Sequence, residues 1–387
     1  MAVRTMRVGI DASNLRAGGG VTHLVDVLRA VDPGRHEVTD VIVWSGRATL
    51  AALPAAPWLH ARHEPVLDAG LLARTRWQRV TLARRLRDAG CDVLFAPGGS
   101  YNGSFRPFVT MSRTLLPFEP GERQRYGASV MRVKLAILRR AQIQALRRAD
   151  GVIFLNEYAR RRVEDATGAL GGLVRVIPHG VGDEFRAAPR PARPLDACSA
   201  AAPVRILYVS IVEPYKHQWH VVEAVARLRA RGLPVVLDLV GGGRAAWIAR
   251  LRETMARVDP AGEFVTYSGE VDHAALPARY READLFVFAS SCENMPNVLL
   301  EAMASGLPIA CADRGPMPAV LGPAGRYFDP EQPGDIAAAL DALIADAGAR
   351  DVFARLAHER AAAYSWARCA DETFALLRAV HDAARRR

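Results

Sequence analysis

Short apolar runs recur along the chain and alternate with longer stretches in which the apolar residues have the spacing of a helix. The runs in the first half are MRVGID, VTDVIVW, DVLFAP, FVTM and GVIFLN, and those in the second half are VRILYVS, VVLDLVG, FVTYSG, DLFVFAS and LPIACAD. Strands that alternate with helices build parallel sheets covered by helices on both faces. The pattern therefore predicts an α/β fold.

The alternation is interrupted at residues 186–203, which are rich in Pro and Ala. A chain of 387 residues also exceeds the usual size of a single hydrophobic core. We therefore expect a Rossmann-like N-terminal domain over residues 1–185, a linker over 186–203 and a Rossmann-like C-terminal domain over 204–387. The last helix is a candidate to pack back on the N-terminal domain. Because ligands bind at the carboxyl ends of the strands in such sheets, two domains that face each other would enclose a cleft.

Basic residues are concentrated in the first half of the chain. Residues 1–190 contain 29 Lys and Arg against 17 Asp and Glu, whereas residues 191–387 contain 22 against 24, and the formal net charge of the chain is +10. This asymmetry suits a phosphate-bearing substrate or an anionic membrane face, although an arginine-rich composition also arises from genomic bias. Since no basic motif is interleaved with aromatic residues, nucleic acid is not expected as a partner.

Several features of the sequence predict a cytoplasmic location. The N-terminal sequence MAVRTMRVGIDASN lacks the apolar segment of a secretory signal, and no apolar run reaches the roughly 18 residues of a membrane-spanning helix. The five cysteines are scattered and have no C-x-x-C spacing, which is typical of reduced thiols. Any membrane contact is therefore expected to be peripheral, on the cytoplasmic face of an anionic inner membrane.

Residues 290–313 are the most informative part of the sequence. They follow the apolar run DLFVFA and have the pattern strand, loop, helix, turn, strand, with Pro296 expected in the first helical turn and Gly306 at the helix end. Free amides at a helix start can bind phosphate or sugar hydroxyls. Glu293 on the entry loop and Glu301 one turn into the helix carry acceptor oxygens suited to the hydroxyls of ribose or a hexose.

Two glutamates at this spacing also occur on ordinary surface helices, but the residues around them are more specific. The sequence E-N-M-P-N-V-L-L-E-A-M-A-S-G-L-P, which begins at Glu293, resembles the motif E-x-x-P-x-x-x-x-E-A-M-A-x-G-x-P of the retaining GT-B glycosyltransferases of family four. The resemblance spans essentially the whole C-terminal half, through Gly269, Tyr280, Ala283, Asp284, Gly325, Phe328, Asp329, Pro330, Ser365 and Trp366. It implies the GT-B fold, in which two Rossmann-like domains have parallel sheets facing across a cleft.

The resemblance also implies residue roles. Glu293 would contact the donor sugar and act in catalysis, and Glu301 would bind the ribose of a nucleotide-diphosphate sugar held mainly by the C-terminal half. The implied donor site further includes Ser210, Asn294, Met295, Pro296 and Asn297.

A second segment, ILYVSIVEPYKHQ, has the pattern strand, loop, helix. It places Lys216 at the end of the loop, where a lysine would neutralise a pyrophosphate during catalysis; a solvated lysine is the alternative. The family often has an arginine about five residues earlier, where this chain has Ile211. His217 and His220 have no third metal ligand near them in the sequence and are expected to be ordinary helix residues.

Two loops of the first half carry further candidates. A glycine run between a strand and a helix allows close approach of the backbone to a ligand, and it comprises Gly18, Gly19 and Gly20. In similar enzymes this loop lies near the pyrophosphate and the acceptor, although a structural turn is the alternative. Ser112 and Arg113 follow the run FVTM, where the family has a histidine. Both are candidates for a donor or acceptor phosphate contact, and a buried ion pair is the alternative for Arg113.

The sequence contains no D-x-D motif, so we expect neither a metal ion nor another cofactor. A helix dipole, loop amides and Lys216 would instead neutralise the leaving group. The run IPHGV resembles the end of the family's N-terminal domain and predicts a structural role for His179.

These observations predict an enzyme that moves a hexosyl unit, with mannosyl or rhamnosyl favoured, to a glycan or lipid-linked acceptor in envelope polysaccharide or lipopolysaccharide synthesis. A GDP-sugar is the first expectation for the donor and a UDP-sugar, such as UDP-glucose or UDP-N-acetylglucosamine, the second. The alternatives are a nucleotide-sugar 2-epimerase, which shares the architecture, and a non-catalytic binding protein.

Overall fold

The computed structural model describes residues 5–16 and 18–386. These residues form two compact units. The first unit contains the chain up to Arg123, Gly127–Gly180 and the last segment from Ser365, and the second contains Gln124–Tyr126 and Val181–Tyr364. Apart from the short segment Gln124–Tyr126, the chain enters the second unit after Gly180 and returns to the first at Ser365.

The described part of the first unit has a parallel sheet of seven strands in the order β3-β2-β1-β4-β5-β6-β7. The strands are β1 (Met6–Asp11), β2 (Val38–Ser45), β3 (Leu59–His63), β4 (Val93–Ala96), β5 (Phe108–Met111), β6 (Gly151–Phe154) and β7 (Leu173–Val176). The central strands β4, β5 and β6 are buried at every residue, as expected for a sheet covered on both faces.

The described part of the second unit repeats this arrangement with six parallel strands in the order β10-β9-β8-β11-β12-β13. They are β8 (Val204–Val209), β9 (Val235–Val240), β10 (Val265–Gly269), β11 (Leu285–Phe288), β12 (Ile309–Ala312) and β13 (Arg326–Phe328). The strand order reverses between β8 and β11, and loops that follow such a pair of strands form the usual ligand site of this fold.

Helices connect the strands of both sheets. They are α1 (Gly19–Ala30), α2 (Arg47–Ala51), α3 (Leu71–Val80), α4 (Leu82–Asp88), α5 (Pro120–Gln124), α6 (Val130–Arg148), α7 (Glu157–Thr167), α8 (Gln218–Ala230), α9 (Ala245–Val258), α10 (Leu276–Glu282), α11 (Asn297–Ala304), α12 (Met317–Leu321), α13 (Pro333–Ala345), α14 (Ala347–Ala361) and α15 (Trp366–Arg385). None of the described helices has the length and apolar composition needed to cross a membrane. The prediction of two Rossmann-like parallel sheets is confirmed.

The last helix, α15, packs within the first unit. It lies against α1 and the strands β4, β5, β6 and β7, and it buries Phe374, Leu377 and Val380. Its start is capped by Ser365, whose Oγ accepts a hydrogen bond from the amide of Arg368 at 3.2 Å.

The Pro- and Ala-rich segment packs within the second unit. The Arg193 guanidinium forms an ion pair with Asp284 at 2.9 Å, and the amide of Ala192 donates to Asp351 at 2.7 Å. Gly306 ends α11 with φ 66°, as the sequence predicts, and a side chain there would also strike the backbone of Pro189.

Candidate active site

Two loops of the second unit meet at the point where the strand order reverses. One follows β8 and contains a 3₁₀ turn, Pro214–Lys216, and the other joins β11 to α11. The amide of Ser291 donates to the carbonyl of Tyr215 at 2.8 Å, and the Ser291 hydroxyl lies 2.9 Å from Nε2 of His217. These hydrogen bonds tie the two loops together beside the carboxyl ends of the strands.

Lys216 and Glu293 form an ion pair between these loops. Their side chains are only 8% and 14% exposed, and the Lys216 ammonium lies 5.3 Å from the ring centroid of Tyr215 and 5.5 Å from that of Phe288. Charges taken out of water in this way require a close partner. Lys216 is therefore not a solvated surface lysine, and the structure brings the two predicted catalytic residues together.

Three protonated groups surround this ion pair. Burial, and then the charge of Glu293, raises the pKa of Tyr208, Tyr215 and Cys311 above their ordinary values. The Tyr208 hydroxyl donates to the backbone carbonyl of Lys216 at 2.5 Å. These side chains therefore stay neutral at physiological pH and add no charge beside the ion pair.

Glu301 lies on α11 and has different partners. Its Oε2 accepts a hydrogen bond from the Tyr280 hydroxyl at 2.9 Å, and its Oε1 lies 3.9 Å from Nε2 of His273. Burial, followed by the charge of Glu301, raises the pKa of Tyr280, so the phenol remains a donor. Tyr280 thus orients a carboxylate that is 8% exposed.

The other predicted donor residues lie along the same two loops. Asn294 and Met295 are buried, and Ser210 directly follows β8. Pro296 occupies the N-cap of α11 rather than its first turn, and Asn297 is the first helical residue. A proline costs no helical hydrogen bond at either place.

The expectation of free amides at the start of α11 needs a correction. The amides of Asn297, Leu299 and Leu300 already donate to the carbonyls of Met295 or Pro296. Within the described residues this leaves the Val298 amide as the one at this helix start without an acceptor. The helix start therefore offers a single backbone donor and the helix dipole to an anion.

The prediction that His217 is an ordinary helix residue is wrong. It precedes α8, has a left-handed backbone with φ 52°, and burial lowers its pKa to about 3. His220 is inside α8 and its Nδ1 lies 2.9 Å from the carbonyl of Pro330. No group of three or more metal-ligating side chains occurs in the described parts of the chain.

In the first unit, the glycine run begins α1. Gly18 has φ 65° at the N-cap, Gly19 and Gly20 form the first turn, and the Arg113 guanidinium occupies the space that a side chain on Gly20 would need. Arg113 and Ser112 follow β5, and burial lowers the pKa of Arg113. The structure thus brings the predicted glycine loop and Arg113 together.

Arg113 has no ion-pair partner among residues 5–16 and 18–386, so the alternative of a buried ion pair does not hold. His179 has the expected structural surroundings, since its ring lies 4.7 Å from that of His23 and 5.6 Å from that of Trp366.

Sequence reasoning missed one cation that contacts the loop carrying Lys216. Arg244 follows β9, and its Nε lies 3.2 Å from Glu213, which also accepts a hydrogen bond from Tyr126 at 3.2 Å. The glycine run GGGR after the apolar run VVLDLV is the signal that could have found it. Ile211 is 52% exposed, so no basic side chain of the kind common in the family stands at that place.

Two parallel Rossmann-like sheets, with an enclosed ion pair and a buried carboxylate at the reversal of one of them, place the chain among the two-domain proteins built from Rossmann-like sheets, with a candidate ligand site in the second unit. Comparisons with known proteins agree with this assignment. Residues 203–346 match the model of glycosyl transferases group 1, and residues 17–185 match that of glycosyltransferase family 4. The chain belongs to the GT-B glycosyltransferases.

The curated relatives include two D-inositol 3-phosphate glycosyltransferases. The protein of Geodermatophilus obscurus is 29% identical over 61% of this chain and 54% of its own length. The protein of Nocardiopsis dassonvillei is 28% identical over 94% of this chain and 90% of its own length. A GDP-mannose-dependent alpha-(1-6)-phosphatidylinositol monomannoside mannosyltransferase of Mycolicibacterium smegmatis is 31% identical, over 52% of this chain and 56% of its own length.

Solved structures show the same fold at low sequence identity. Sucrose-phosphate synthase of Thermosynechococcus elongatus has a TM-score of 0.76 at 19% identity and covers 98% of this chain and 100% of its own. HepE of Anabaena in complex with UDP has a TM-score of 0.69 at 18% identity and covers 96% and 98%.

Proposed function

We propose that this glycosyltransferase moves a hexosyl unit, mannosyl or rhamnosyl in the first instance, from a nucleotide-diphosphate sugar to a glycan or lipid-linked acceptor of the cell envelope, with retention of anomeric configuration. The observation that carries the proposal is the enclosed Lys216–Glu293 ion pair beside the start of α11. It supplies one cation for a leaving phosphate and one carboxylate for the sugar in a site largely shielded from water.

In the proposed reaction, the bond between the anomeric carbon and the donor phosphate oxygen breaks while an acceptor hydroxyl oxygen bonds to the same face of that carbon. The hydroxyl proton passes to the leaving phosphate oxygen, so no side chain is assigned as a general base. Lys216 and the α11 dipole stabilise the charge that develops on the phosphate. Glu301 accepts hydrogen bonds from the ribose hydroxyls, and Tyr280 holds its carboxylate in place.

The names of similar proteins support the choice of substrates. The Mycolicibacterium relative is named for GDP-mannose and a phosphatidylinositol mannoside, which favours a GDP-hexose and a lipid-linked acceptor here. The Anabaena structure contains UDP, which keeps a UDP-sugar as the second candidate.

The test uses the full chain with GDP-mannose, UDP-glucose and UDP-N-acetylglucosamine. Calorimetry measures donor binding, mass spectrometry detects transfer to an envelope extract, and proton NMR of the product reports the anomeric configuration. We expect a GDP-sugar to bind most tightly and the product to keep the donor configuration. Epimerised nucleotide sugar formed without acceptor, or an inverted product, would contradict the proposal.

A further inference from the structure

Two arginines of the first unit bridge the same two chain segments at the carboxyl edge of its sheet. Arg74, on α3, donates from Nη1 to the carbonyl of Ser13 at 2.7 Å and to Oδ1 of Asn14 at 3.2 Å. Arg16, two residues beyond Asn14, reaches back to the carbonyls of residues 67–69 at 3.3 to 3.5 Å. Two guanidinium groups, one from the turn after β1 and one from α3, therefore join this turn to residues 67–74, and the charge of Arg16 acts on Arg74.

Neither guanidinium is neutralised. No carboxylate in the described ranges pairs with Arg16 or Arg74, although two carboxylates lie on the same segments. Asp11 is occupied by Gln78 and the amide of Ser13, and Asp68 by Arg47 and His63. Burial and the charge of Arg16 both lower the pKa of Arg74, as expected for like charges held close together.

Several donors of this pair remain unused. A guanidinium carries five N–H groups. In Arg74 the buried Nε has no hydrogen-bond partner, and Nη2 has no acceptor among the residues described. A buried donor without an acceptor costs free energy unless a ligand or water fills the place. The planar fork of a guanidinium matches two oxygens of a phosphate or carboxylate.

The position of the pair connects it with the proposed reaction. Arg16 lies two residues before Gly18, the start of the glycine run that begins α1, on the segment that follows β1. Resting on the proposed function, we propose that Arg16 and Arg74 bind an oxyanion of the acceptor, either a phosphate or a carboxylate. The acceptor is then an anionic sugar or lipid headgroup, and the two arginines select it through this charge rather than through the hydroxyl that reacts.

The experiment titrates the full chain with glucose 6-phosphate, glucuronate and glucose by calorimetry at constant ionic strength. We expect the wild type to bind at least one of the two anionic sugars at least tenfold more tightly than glucose. The anionic sugar that binds more tightly identifies the phosphate or the carboxylate as the source. Arg16→Gln and Arg74→Gln should each weaken this binding at least tenfold. Arg76→Gln, which removes the same charge from an exposed position of α3, should change it less than twofold.

Arg16→Gln keeps the test valid if Arg74→Gln does not fold, because Arg16 is exposed and makes only long contacts. Equal binding of glucose and both anionic sugars, or wild-type binding by a folded Arg16→Gln chain, would overturn the inference. GDP and UDP are titrated in parallel. If the proposed function is wrong, the wild type binds neither nucleotide; if only the inference about Arg16 and Arg74 is wrong, the wild type still binds one of them.

Discussion

The two glutamates of the candidate site have the spacing of one motif but separate surroundings. Glu293 is paired with a lysine in the loops, whereas Glu301 is held by a phenol on the neighbouring helix α10. A carboxylate that is held by a neutral donor keeps acceptor lone pairs for ligand hydroxyls. A carboxylate that neutralises a lysine must share that lysine with any incoming phosphate. Substitution of the two residues should therefore have different effects on nucleotide binding and on turnover.

Glu301→Gln keeps the shape of the side chain and removes its charge. Because hydrogen bonds to a charged acceptor contribute about 1.5–3 kcal/mol, we expect GDP or UDP and the donor sugar to bind roughly tenfold or more weakly. Calorimetric titration of the nucleotide diphosphate measures the effect. Wild-type affinity in a folded Glu301→Gln chain would remove Glu301 from the donor site.

Glu293→Gln should give the complementary result. We expect turnover to fall at least a hundredfold, because the group beside the reacting carbon is lost, while the nucleotide diphosphate still binds almost normally. Initial rates and titrations of the same preparation test this. Full turnover in the variant would show that Glu293 does not act on the donor sugar.

We predict that His217 makes the second unit sensitive to acid. Its pKa is near 3 in the folded chain and near 6.5 in a model peptide, so the unfolded chain binds the proton more tightly. The contribution of neutral His217 to the free energy of unfolding is complete above about pH 6.5 and declines as the pH falls towards 3. His217→Asn tolerates the left-handed backbone and cannot titrate. We expect urea unfolding at pH 7.5 and 5.0 to differ less in this variant than in the wild type; an equal difference would exclude His217 as the cause.

For individual residues, the sequence predicts those that belong to a motif. It does not predict residues that come together only through the packing of distant elements. Lys216 and Glu293 are separated by many residues, but each follows a strand, so their shared sheet edge could be anticipated. The contact of Arg74 with Asn14 depends on how α3 packs, and no local pattern encodes it.

Among the helices, α6 presents an unusual surface. Its apolar residues Val130, Val133 and Ile137 are 60–72% exposed and lie on successive turns. The same helix carries four arginines, Arg132, Arg139, Arg140 and Arg147. In the structure Arg139 lies over the ring of Phe118 and Arg147 donates to the carbonyl of Thr167, so both already have intramolecular partners.

We predict that this face of α6 contacts an anionic membrane. Apolar side chains beside basic ones bind such a surface, and each arginine near an anionic leaflet contributes about 1 kcal/mol. Val133→Ser with Ile137→Ser should weaken sedimentation with anionic vesicles at least threefold, and Arg132→Gln with Arg140→Gln should reduce its salt sensitivity. Val352→Ser, at an exposed site of the second unit, is the control. Equal sedimentation with neutral and anionic vesicles would contradict the prediction.

The elements that sequence reasoning found are those with apolar runs. Strands β3 and β7 are partly exposed edge strands, with the sequences LHARH and LVRV, and carry no such run. β3 pairs with β2, and β7 pairs with β6, through backbone hydrogen bonds. A pattern of apolar side chains does not reveal such bonds.

For the whole enzyme we predict that transfer needs no divalent ion, because Lys216, a helix dipole and loop amides are proposed to neutralise the leaving phosphate. Initial rates should change less than twofold when EDTA replaces added magnesium. Activity that EDTA abolishes and Mg²⁺ or Mn²⁺ restores would refute this. Replacing Lys216 with Gln should lower turnover at least a hundredfold in either buffer.

The return of the chain to the first unit has a consequence for biosynthesis. The face of β4, β5 and β6 that α15 covers stays open until that helix has been made, although these strands are among the first to leave the ribosome. During the synthesis of Val181–Tyr364, the nascent chain therefore carries apolar strand surface that α15 does not yet cover. A chain that is truncated before Ser365 would contain the whole second unit but would lack α15, which the first unit needs to cover its sheet.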